Sequence, residues 1–60
     1  MAFIHTEIYK YDAFAIDDRG NIWRIYFNGI EGPFMQKLMS DALEYYNVIR
    51  LLRAKANLYK

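Results

Sequence analysis

Asp17-Asp18-Arg19-Gly20-Asn21 separates two runs rich in aromatic and β-branched residues, 9–16 (YKYDAFAI) and 22–28 (IWRIYFN). Acidic residues favour the start of a type I turn, and glycine takes the left-handed position of a three-residue hairpin loop at no steric cost. The flanking runs suit a pleated, half-buried surface. The stretch therefore predicts a β-hairpin in which Asp17 opposes Asn21 and the pairing continues as Ile16 with Ile22, Ala15 with Trp23, Phe14 with Arg24 and Ala13 with Ile25.

That register sorts the side chains into two faces, because successive residues of a strand point to opposite sides. One face carries Tyr9, Tyr11, Ala13, Ala15, Trp23, Ile25 and Phe27 and no charge, which marks it as the core face. The other carries Lys10, Asp12, Phe14, Ile16, Ile22, Arg24, Tyr26 and Asn28, with an apolar cluster of Phe14, Ile16, Ile22 and Tyr26 that would lie outside. Upstream, Ile4, Thr6 and Ile8 alternate on the opposite phase, which calls for a bulge near Ile8 or a separate short strand.

Downstream, Pro33 stands where a helix would begin, since its fixed φ suits the first helical position. Met35, Leu38, Ala42, Tyr45, Ile49, Leu52, Ala56 and Tyr59 then recur at spacings of three and four, one apolar stripe along a helix. The expected fold is α+β: one domain over residues 1–60, an N-terminal β-hairpin with or without a further short strand, packed on one long C-terminal helix (ββα). A 26-residue helix is ~39 Å long, against ~25 Å for a strand of this hairpin. It would overhang, with Leu51 and Leu58 adding a second apolar line.

Overhang, unpaired strand edges and an apolar outer face together predict a homodimer. The 60-residue length points the same way, because a chain this short makes a marginal core and Cys is absent. The remaining composition, 55% hydrophobic and 18% aromatic with 3 Gly and 1 Pro, is that of a folding chain rather than a disordered one. Its apolar runs are far shorter than the ~20 residues of a membrane span. The opening MAFIHTEIYK lacks the basic region and apolar run of a secretory signal, so the expectation is a cytoplasmic protein without a membrane partner.

Catalytic equipment is sparse. Nucleophilic catalysis needs Ser, Thr or Cys beside a base, and the chain holds only Ser40, Thr6 and the single His5. Gly20, Gly29 and Gly32 match no phosphate-binding loop. Asp17 and Asp18 are explained by the turn, and His5 with Glu7 falls short of a zinc site. No enzyme activity, cofactor or metal is expected.

The leading expectation is a noncatalytic protein-binding module, a homodimer that occupies a surface of a larger protein as a regulator or inhibitor. Such small chains are common among phages and other mobile elements. Its contact residues would be Phe14, Ile16, Ile22, Arg24 and Tyr26, with Leu51 and Leu58 as a second patch, since aromatic residues and Arg are enriched at interfaces. One alternative is a nucleic-acid-binding regulator using Arg50, Arg53, Lys55 and Lys60, because residues 45–60 hold four basic side chains and no acid. Against it stands a net charge of only +1. A second alternative is an accessory subunit whose apolar patches complete a larger complex.

Overall fold

The computed structural model describes residues 2–39 and 41–58; Met1, Ser40, Tyr59 and Lys60 lie outside them. Four antiparallel strands, β1 (Phe3–Tyr9), β2 (Asp12–Asp17), β3 (Ile22–Asn28) and β4 (Glu31–Lys37), form one sheet in the order β1-β2-β3-β4. A single 3₁₀ turn (Leu43–Tyr45) leads into the helix α1 (Tyr46–Asn57).

The central hairpin has the register that its turn dictates: Ile16 opposes Ile22, Ala15 opposes Trp23, Phe14 opposes Arg24 and Ala13 opposes Ile25. Asp17 N–H donates to the Asn21 carbonyl at 2.9 Å, and Gly20 takes φ 86°. The phase change upstream is a separate strand, not a bulge near Ile8: the chain turns at Lys10 and Tyr11, and β1 pairs with β2 from Tyr9 opposite Asp12 through Ile8 opposite Ala13 and Thr6 opposite Ala15. An irregularity in the pairing lies between Phe3 and His5.

The helix does not begin at Pro33, so the ββα order is corrected to four strands followed by a 12-residue helix. Gly29, at φ 65°, turns the chain back on itself, and residues 31–37 pair along β3 with Arg24 opposite Gln36 and Ile25 opposite Met35. The outer edge of β3 would otherwise leave a row of unpaired backbone groups. Pro33 fits because an edge strand tolerates a residue without an N–H. Shortening the helix also removes the expected overhang: 12 residues span ~18 Å, within the ~23 Å of a seven-residue strand.

The core lies on the face opposite to the one the charges suggested. Phe14, Ile16 and Ile22 are 1–3% exposed beneath Val48, Ile49, Leu52 and Ala56 of α1, with Leu38 closing the cluster. The helix lies over β1 and β2. Charge misleads because Asp12 and Arg24 share this face yet pair with each other, Arg24 Nε to Asp12 Oδ2 at 2.8 Å. Phe14 is the better guide: its ring meets Tyr9 edge-on at 5.9 Å and Tyr45 at 5.2 Å. Leu38, Ala42, Tyr45, Ile49, Leu52 and Ala56 of the apolar stripe all reach the core, although only the last three do so from α1. Tyr11, placed in the core by its parity, is fully exposed next to the β1–β2 turn.

Two substitutions test this packing. Leu52→Ala deletes a side chain with no solvent exposure and is expected to lower unfolding free energy by about 2–5 kcal/mol in urea titration. Gly32 has φ 128°, and a Cβ there would stand 2.9 Å from Phe27 Cδ1 and 3.3 Å from the Tyr26 carbonyl oxygen. Gly32→Ala is expected to cost about 1–3 kcal/mol by the same measurement.

Candidate functional surface

Helix packing on one side leaves the other side of the sheet uncovered. Pairing places two rows of side chains there: Thr6, Ala15, Trp23 and Lys37, then Ile8, Ala13, Ile25 and Met35. Ile8 is 74% exposed and Met35 44%. Ala15 has no exposure at all, because it lies in the middle of the sheet between larger neighbours. The centre of this face is Trp23 and Ile25 of β3, with Ala15 of β2 covered by its neighbours. Apart from Lys37 at one corner, neither row holds a charge.

Asp17 also belongs to this side. Its Oδ1 accepts the N–H groups of Arg19 and Asn21, each at 2.9 Å, and its Oδ2 accepts Trp23 Nε1–H at 2.9 Å. Burial raises the carboxyl pKa, but the bonds from Trp23, Asn21 and Arg19 outweigh it and hold the pKa below the ordinary 3.8. One ionised carboxylate thus ties the turn to the largest side chain of the open face.

The contact residues expected from sequence separate into three places. Phe14, Ile16 and Ile22 are core residues, so they present nothing to a partner. Arg24 and Tyr26 remain half-buried on the helix side of β3. The guanidinium stacks 4.4 Å from the Tyr26 ring centroid and reaches Gln36 Oε1 at 3.3 Å; its hydrogen bond to Asp12 raises its pKa further. Leu51 on α1 and Leu58 just past its end are exposed with Ala54 between them, a narrow apolar strip on the opposite side of the molecule from the open sheet.

Of the basic residues of the rival reading, Arg50 and Arg53 border one hollow together with Tyr46 and Ile49. Arg50 lies 5.5 Å from the Tyr46 ring centroid, and Lys55 is half-buried. Arg53 borders hollows beside the β2–β3 turn, one shared with Arg19 and another with Lys37. Lys60 lies outside the described residues. Asp17 and Asp18 line the hollow with Arg19 as well, which offsets its positive potential.

Lack of charge does not distinguish an open face from a buried one, so charge alone misplaces this face. Residue volume was the usable signal: two alanines on β2 fill a core poorly, whereas Phe14, Ile16 and Ile22 on the other side fill it well. Among the described residues no three His, Asp or Glu side chains gather as metal ligands, and no helix is long and apolar enough to cross a membrane. No family model, curated protein or solved structure matches the chain.

Asp17→Asn tests the tie between turn and face. The amide keeps one oxygen for the backbone donors but presents its NH₂ where Trp23 Nε1–H needs an acceptor, and a loss of about 1–3 kcal/mol is expected. Because the folded-state pKa lies below 3.8, the carboxylate stabilises the fold above that pH and ceases to do so as pH falls through the folded value. Acid titration followed by Trp23 fluorescence should show this loss in the parent chain and a flatter profile in Asp17→Asn.

Proposed function

We propose that this chain is a noncatalytic protein-binding module, a homodimer that occupies a surface of a larger protein. The observation that carries the reading is apolar surface on two opposite sides of one small molecule: the rows of the open sheet, charged only at Lys37, and the Leu51–Ala54–Leu58 strip along α1 and its C-terminal end. Two separate apolar patches suit two protein contacts, one with a second copy and one with a target. Affinity comes from the apolar anchors. The charged side chains near the strip, Arg50 and Arg53 among them, set orientation and association rate.

Nucleic acid is the second reading, drawn from the proximity of Arg19, Lys37 and Arg53 around the β2–β3 turn. A subunit that completes a larger complex uses the same patches as the leading reading and differs only in permanence.

The test is retention of a stoichiometric protein partner by the tagged chain from nuclease-treated lysate. Leu51→Asp with Leu58→Asp is expected to abolish retention while leaving circular dichroism unchanged, since both side chains are exposed. Arg50→Ala with Arg53→Ala should leave it nearly intact. Binding that disappears with nuclease, or that falls steeply with salt and with the arginine substitutions, would instead favour nucleic acid.

A further inference from the structure

We infer that the groove beside α1, where the connector from β4 runs back to the helix, docks a peptide segment of another protein in which acidic residues are flanked by large apolar ones. The inference goes beyond the reading above. The groove is distinct from the Leu51–Ala54–Leu58 strip and touches the open sheet only at Lys37. Spacing separates the two sides of the helix: Tyr46, Ile49, Arg50 and Arg53 recur at three and four and share one face, whereas Leu51, Ala54 and Leu58 follow another.

Two hollows make up the groove, and Arg53 borders both. The first, of about 230 Å³, lies among Ala42, Leu43, Tyr46, Ile49 and the two arginines, with Asp41 at its margin. Ile49 is buried and belongs to the core, while Leu43 is 87% exposed and Tyr46 49%. The second, of about 280 Å³, opens between Lys37, Leu38 and Met39 and the β2–β3 turn at Gly20 and Asn21. Met39 is 73% exposed, and its flexible thioether suits a surface that adapts to what it binds. Leu43, Tyr46 and Met39 are thus large apolar side chains left in water around unfilled space.

Charge complementarity names the occupant. Lys37, Arg50 and Arg53 border the groove against the single carboxylate of Asp41, and among the described residues none of the three cations has an ion-pair partner. The Arg50 guanidinium lies 5.5 Å from the Tyr46 ring centroid, a stack that fixes its position and leaves its N–H fork to meet a carboxylate. Size then decides between ligand classes. Each hollow is smaller than the ~300–1,000 Å³ of a small-molecule site, which points to one apolar side chain in each with acid over Arg53 between them. A nucleic-acid backbone would use the cations but gain nothing from Ala42, Leu43 and Ile49, and three cations make few phosphate contacts.

The experiment is chemical-shift mapping by heteronuclear NMR on the full chain. The probe is a short synthetic peptide with leucine and phenylalanine on either side of two glutamates. Control peptides carry glutamine for glutamate, or alanine for the apolar pair, and oligo-deoxythymidylate stands for nucleic acid. The glutamate peptide is expected to shift the amide signals of Leu43, Tyr46, Arg50 and Arg53 saturably, and each control peptide to bind about fivefold more weakly or worse. Arg50→Gln with Arg53→Gln should weaken the glutamate peptide about tenfold, and Leu43→Asp should abolish its binding. All three side chains are exposed, so circular dichroism should not change. No saturable shift at millimolar peptide, shifts centred on the open sheet, or equal binding of the glutamine peptide overturns the assignment. Tighter binding of the oligonucleotide at the same arginines overturns it in favour of nucleic acid. Retention of a lysate protein through Leu51 and Leu58 without peptide binding overturns this inference alone. Peptide binding without such retention overturns the reading above and leaves the groove standing.

Discussion

The carboxylate of Asp17 holds the turn on which the rest of the sheet is aligned. Two backbone N–H groups of the loop and the Trp23 indole converge on it, and with them the loop has one length and one geometry. Loop length sets register, and a slip of one residue in a strand pair exchanges the two faces of that strand. Ile16 opposite Ile22 is thus the first rung of the core, and every later rung on β2 and β3 inherits its side. The turn at Lys10 and Tyr11 does the same for β1, setting Tyr9 opposite Asp12 and so carrying His5 into line with Ile16.

What could be read from sequence, and what could not, follows from the range of the interactions involved. The central hairpin and its pairing were legible because turn chemistry is local: Asp17, Gly20 and Asn21 act within five residues. The side to which the helix would dock was not legible, because that choice is made by packing across the whole sheet. Lys10, Asp12 and Arg24 argued for solvent on a face that Phe14, Ile16 and Ile22 fill. Asp12 and Arg24 are accommodated there by pairing with each other.

Residues 33–45 illustrate the same limit from the other direction. Met35, Leu38, Ala42 and Tyr45 have helical spacing, yet the backbone over 31–37 is a strand because the edge of β3 offers hydrogen bonds that an isolated helical start does not. The stripe still predicted burial for Leu38, Ala42 and Tyr45, which pack on or beside the core from backbone outside α1. Periodicity therefore reported which side chains are apolar enough to be inside more faithfully than it reported the backbone that takes them there. Leu51 and Leu58 were legible as an extra apolar line. The open face was not, since an uncharged surface and a core look alike in a single sequence.

The order of elements along the chain has a consequence for how the protein comes into being. Helix α1 follows all four strands in sequence but covers the first two, so the contacts that bury Phe14 and Ile16 join distant parts of the chain, an arrangement that slows folding. During synthesis the strands emerge before their cover does. Until α1 leaves the ribosome both sides of the nascent sheet are bare, and the newborn chain has two sticky faces where the mature one keeps a single broad one.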